Sequence, residues 1–169
     1  MGAFTAPLAF LLVFIAEVAP LDQAFRTRVA NPWIEFHAAT SIISYGAFGL
    51  AAVAGVMYLL QERQLKSHKA SPLLYNLPPI TDLAKAIGRL ITLGFALLTL
   101  SFAAGFVTQM PVNTLKFAAS AGIWALYGLV VILRRTQSLS PKRLAESAVG
   151  IFVLALVTLP GIQYLSSRP

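Results

Sequence analysis

Chemistry in a protein chain needs side chains that titrate, coordinate or attack, and this sequence of 169 residues offers few. It holds no cysteine and two histidines, His37 and His68, beside 6 acidic and 13 basic residues. Thiolate metal sites, iron–sulfur clusters, disulfides and cysteine nucleophiles are therefore excluded. The patterns G-x-S-x-G, H-E-x-x-H and G-x-x-x-x-G-K-[ST] are absent as well, and no enzyme activity is expected. His37 is the residue of interest. It opens an apolar run beside Trp33, Glu35 and Phe36, where a neutral imidazole can ligate a metal or a haem iron. An interfacial anchor next to Trp33 is the other reading. His68 falls in a basic stretch and reads as a solvated side chain.

The elements that must position these residues follow from composition. Hydrophobic residues make up 57% of the chain and charged residues 11%, against roughly 25% charged in a soluble domain. The net charge of +7 could suggest a nucleic-acid partner, but a mean hydropathy of +0.75 speaks against one and for a membrane protein. A spanning helix needs about 20 mostly apolar residues. Five segments qualify: about residues 4–19, 37–60, 90–107, the stretch between Lys116 and Arg134, and 148–165. The expected fold is all-α, a polytopic membrane bundle of about five helices, because a lipid-exposed strand leaves unpaired backbone groups and no alternating barrel pattern is present. The first segment lacks a basic n-region and an A-x-A site, and reads as a retained helix rather than a signal peptide. Glu17 near its end, three residues before Pro20, is placed at the headgroups, with a proton or ion path as the alternative.

Nine of the 13 basic residues lie in two connections: Arg63, Lys66, Lys69, Lys85 and Arg89 in one, Arg134, Arg135, Lys142 and Arg143 in the other. The positive-inside rule then puts the N-terminus in the cytoplasm, the C-terminus outside and His37 on the outer side. Contact of the basic loops with anionic headgroups is compatible with this. Thr81 or Asp82 is expected to cap the third span, and Ser140-Pro141 to open the last one as N-cap and first helical residue. Met110-Pro111 ends the third span in a short turn, so spans three and four should pair antiparallel. Ala47, Ala51 and Gly55, and likewise Ala118, Gly122 and Ala125, form small-residue faces suited to close helix approach. Tyr45, Phe48, Tyr58, Trp124 and Tyr127 either line an aromatic cavity or make ordinary packing contacts.

The order of motifs resembles the cytochrome c assembly protein family, including its HemX-like branch. His37, Tyr45 and Phe48 match H-x(6–7)-Y-x-x-F, and Tyr58 to Lys66 matches Y-L-L-x-x-R-x-L-K. Leu77-Pro78-Pro79, then Gly94-Phe95-Ala96-Leu97-Leu98-Thr99 with Gly105, and Gly161-Ile162-Gln163-Tyr164-Leu165 follow in register. The likeness covers about residues 31–169 within a single transmembrane domain, with residues 1–30 as a first helix and outer connection. The family's tryptophan-rich haem loop is not matched: its position reads from Thr108 to Lys116 without Trp or Asp. The family's second outer His would follow Leu165, which implies a shortened relative.

The resemblance implies a haem-associated protein of the cytoplasmic (inner) membrane, multi-pass, with His37 as axial ligand to the haem iron and Trp33 and Tyr45 as cofactor-binding neighbours. Partners implied are the bilayer and other membrane proteins of a cytochrome or assembly complex. The alternative is a non-catalytic scaffold subunit that has lost haem handling. A small transporter is a third reading, supported only by helix number and Glu17.

Overall fold

The computed structural model describes residues 31–67, 79–107 and 114–166, with side chains at 115–116 and 159–166 left aside. The expected first span, with Glu17, and His68 lie outside the described residues. Four helices follow one another: α1 Pro32–Lys66, α2 Ile80–Val107, α3 Thr114–Arg135 and α4 Pro141–Ser166. The all-α expectation holds for the described residues. Three segments, Pro32–Lys66, Ile80–Val107 and Phe117–Arg135, are long and apolar enough to cross a membrane.

Local chemistry explains the helix limits. The Asn31 side chain accepts from the Trp33 N–H at 3.1 Å and Pro32 takes the first helical position, which satisfies an orphan donor and presets φ. α1 then runs 35 residues, about 52 Å at 1.5 Å per residue, well beyond a hydrocarbon layer of roughly 30 Å. α2 starts earlier than expected. Thr81 and Asp82 are not its cap but lie in its first turn, because the Pro79 carbonyl already accepts from Asp82 N and Leu83 N. Pro79 has its φ fixed by its ring and starts the helix without a side-chain cap. At α4 the expectation holds: Ser140 Oγ accepts from Arg143 N and Pro141 is the first helical residue. Between α3 and α4 the chain reverses through Gln137 at φ 54°, with Ser138 N bonded to Leu133 O and Gln137 N to Arg134 O, a left-handed helix stop that a glycine usually supplies.

The pairing of the helices is read from their contacts. Ser44 Oγ donates to Gly94 O at 2.7 Å and His37 meets Ser101, so α1 and α2 are antiparallel. Arg134 meets Thr92, Trp124 meets Thr99 and Phe117 meets Phe102, so α2 and α3 are antiparallel too, as the short turn predicts. The small face Ala47, Ala51, Gly55 is buried, and a Cβ on Gly55 would lie 3.0 Å from the Ala145 carbonyl oxygen of α4. The second small face behaves differently. Ala118, Gly122 and Ala125 are exposed, and α3 buries Ile123, Tyr127 and Val130 instead. Those larger side chains, at helical i, i+4, i+7 spacing, reach the core where small ones would leave voids. Phe48, Ile87, Ile91, Tyr127 and Ala145, each at most 1% exposed, form the centre, with Phe48 stacked on Tyr127.

Candidate functional site

His37 sits one and a half turns into α1 and is half-buried against α2. Its Nδ1 lies 2.7 Å from the Ser101 carbonyl oxygen and 2.9 Å from the Ser101 hydroxyl. A carbonyl oxygen only accepts, so Nδ1 carries a proton, and in the neutral ring the lone pair is then on Nε2. The hydroxyl network agrees with that assignment. Ser101 Oγ donates to the His37 carbonyl at 3.1 Å and pairs with Ser41 Oγ at 2.5 Å, which leaves it able to accept from Nδ1–H. Ser101 is 1% exposed, so this latch is shielded from competing water. Gly105, one turn beyond Ser101, lets the ring lie close: a Cβ there would be 3.4 Å from Nδ1. The result is an imidazole with its Nδ1–H and ring plane fixed, whose neutral form offers Nε2 to a metal centre.

The other aromatic residues divide into three places. Trp33, one turn before His37, is 52% exposed and meets Phe36 edge-on with centroids 6.5 Å apart. Tyr45 is eight residues after His37, about 12 Å along the axis, half-buried and edge-on to Phe48 at 6.5 Å. The structure thus sets Trp33, His37 and Tyr45 in sequence along α1 rather than in one cluster. Trp124 joins Phe95 in a stack at 5.5 Å and donates Nε1–H to Thr99 Oγ1 at 3.0 Å, away from Tyr127, which stacks on Phe48 at 3.7 Å and 4°. For Phe48 and Tyr127, core packing is what the arrangement achieves.

With this geometry in place the chain can be set beside known proteins. The sequence profile described as Cytochrome C assembly protein matches residues 1–167. This chain belongs to the cytochrome c assembly protein family. Among its relatives, an uncharacterized 28.8 kDa protein of Azospirillum brasilense, from a nifR3-like 5'region, is 27% identical over 158 residues, covering 90% of this chain and 58% of its own length. Protein HemX of Bacillus subtilis (strain 168) is 26% identical over 163 residues, covering 91% and 59%. Protein HemX of Brevibacillus brevis is 39% identical over 95 residues, covering 56% and 35%. The chain therefore spans at most 59% of the length of these relatives. No solved structure matches it. Membership of the cytochrome c assembly family, with three helices long and apolar enough to cross a membrane, fits a haem-related multi-pass membrane protein.

Within this family member, the residues that sequence reasoning missed are Ser101 and Ser41, while Gly105 stood out only as part of a motif and not as a neighbour of His37. Ser41 carried a signal, since it lies one turn from His37 on the same face. Ser101 carried none, because it reaches His37 only across the α1–α2 interface. A further polar group is unusual: the hydroxyl of Tyr127, 1% exposed, has no hydrogen-bond partner among the described residues. A buried unsatisfied hydroxyl is destabilising, so Tyr127→Phe is expected to raise stability by about 1 kcal/mol, read as a higher unfolding midpoint in detergent. A lower midpoint would mean that the hydroxyl is bonded after all.

Proposed function

We propose that this family member binds haem on the outer side of the cytoplasmic membrane through Nε2 of His37, and that its role is binding and presentation rather than catalysis. The observation that carries the reading is the 2.7 Å contact of His37 Nδ1 with the Ser101 carbonyl. A metal-ligating imidazole characteristically donates its other N–H in this way, which fixes its tautomer and raises its basicity. Among the described residues no three of His, Asp or Glu come together, so a bare ion would lack ligands from them. A haem brings its own four nitrogens and needs only an axial ligand. Trp33 at the headgroup end and Tyr45 two turns deeper are the aromatic groups on α1 available to the macrocycle's flanks. The basic ends of the helices support the orientation with His37 outside.

The test is a visible spectrum of the full chain purified in mild detergent and titrated with haem. A Soret band that shifts on binding is expected, and His37→Ala should weaken binding by at least about tenfold. No shift, or the same shift in His37→Ala, would overturn the reading. A scaffold role is the second reading, favoured by the exposed Ala118, Gly122, Ala125 face of α3, which suits close approach by another protein's helix. Under that reading Gly122→Leu abolishes co-purification of a membrane partner while His37→Ala changes nothing.

A further inference from the structure

The opposite end of the bundle holds an arginine in an unusual place. Arg134, next to last in α3, is half-buried, and its guanidinium lies flat against α2 at Gly88, where a Cβ would collide with Cζ, Nε and Nη2. Its Nη1 donates to Thr92 Oγ1 at 3.3 Å, while the Thr92 hydroxyl proton goes to Gly88 O. A neutral oxygen is thus the one hydrogen-bond acceptor that Arg134 has among the described residues. A guanidinium carries five N–H donors and full charge, so this arrangement leaves most of its capacity unused.

Among the described residues no carboxylate at this end pairs with it. Glu62, Asp82 and Glu146 are each engaged by a lysine of their own helix, Lys66 at 2.7 Å, Lys85 at 3.8 Å and Lys142 at 3.7 Å. Glu35 lies in the first turn of α1, at the other end. Among the described residues, eight basic side chains stand against those three acids where α1 and α3 end and α2 and α4 begin. Lys85 is three residues from Gly88 and so shares its face of α2, one turn nearer the helix end. Gly88 lies thirteen residues from Ser101, about 20 Å along α2, which keeps the guanidinium within reach of the headgroup layer of a bilayer roughly 30 Å thick.

We propose that Arg134, seated in the slot at Gly88 and supported by Lys85, is a binding site for the phosphate of an anionic phospholipid. Arginine's planar fork takes two phosphate oxygens at once, and a basic site between spanning helices is the kind that holds such headgroups. A lipid rather than a soluble phosphate is favoured by the apolar side chains exposed near it in sequence, Leu93 at 55%, Leu129 at 52% and Ile132 at 60%, which suit acyl chains. The site is independent of haem and of His37.

Native mass spectrometry of the full chain in mild detergent tests this, with phosphatidylglycerol, phosphatidylcholine or inorganic phosphate added in turn. One phosphatidylglycerol should be retained with about tenfold preference over phosphatidylcholine, the size of one charge-assisted contact. Arg134→Gln should remove the preference and Arg134→Lys retain part of it. Lys85→Gln, at an exposed position, should reduce it severalfold and provides a variant that leaves the slot intact. Equal retention of both lipids, or an unchanged preference in Lys85→Gln and in any folded Arg134→Gln, would overturn the proposal. Displacement of phosphatidylglycerol by equimolar inorganic phosphate would overturn the lipid and leave a soluble phosphate as ligand.

Discussion

Replacing Phe48 by alanine should destabilise this protein by about 3 kcal/mol, the low end of the range for buried aromatic truncations. Phe48 is 0% exposed and is held on three sides: stacked at 3.7 Å on Tyr127 of α3, edge-on to Tyr45 of its own helix, and seated against Gly94 of α2. Its ring is therefore the plug among three helices. In a bilayer the transfer part of the loss shrinks, since lipid is as apolar as the core, but the lost dispersion contacts and the cavity remain. That is why the low end applies. Thermal unfolding followed by circular dichroism in detergent measures it, with Phe106→Ala, at a residue 69% exposed, as a control near zero. A loss below about 1 kcal/mol would show that the neighbours collapse into the space.

Adding a single methyl group across that contact should do nearly as much. A Cβ on Gly94 would lie 2.7 Å from Phe48 Cε1 and 2.9 Å from Cδ1, closer than such atoms approach. The ring cannot withdraw, because Tyr127 lies parallel to it on the core side. Gly94→Ala is thus expected to cost about 1–3 kcal/mol through overpacking. The strain falls on the α1–α2 interface, where Ser44 bonds to Gly94 O and, two turns on, His37 bonds to Ser101. Gly94→Ala should therefore also weaken haem binding under the proposed function, although residue 94 touches no part of the imidazole. A smaller side chain at position 48 supplies the check. In the Gly94→Ala background, Phe48→Leu should cost less than it does alone, a coupling expected for residues in direct contact. Strict additivity would show that the two do not meet.

Much of the architecture was legible along the chain because a bilayer makes severe demands locally. Unpaired backbone groups in lipid force helices, and the hydrocarbon thickness sets their length. Apolar runs therefore announced the helices that the structure has at 32–66, 80–107, 114–135 and 141–166, shorter by more than a turn at four of the eight ends. The shortfall has a physical source: helices continue through the headgroup layer, where charged and polar residues are stable, as Glu62, Arg63 and Lys66 do in α1. The buried face Ala47, Ala51, Gly55 was legible as well. The corresponding face of α3 was not, since small-residue spacing permits close approach but a partner must be there to make it. Trp33 and Tyr45 stand out by residue type, yet the fold strings them along one helix with His37 between.

Sequence alone determined the class of this protein and its family, and singled out His37 as the candidate residue. Composition demanded a membrane, motif order carried the resemblance, and of the two histidines in the chain only His37 falls within the matched motifs. Tertiary structure decided the chemistry of that residue. Which nitrogen holds the proton depends on a carbonyl 64 positions away, and only the antiparallel packing of α1 on α2 brings it there. The same is true of Arg134, one basic residue among many in the chain, which becomes distinct because Gly88 of a different helix opens a slot for it. Local pattern encodes what each helix must bury. The atoms that meet across two helices are set by how those buried surfaces fit.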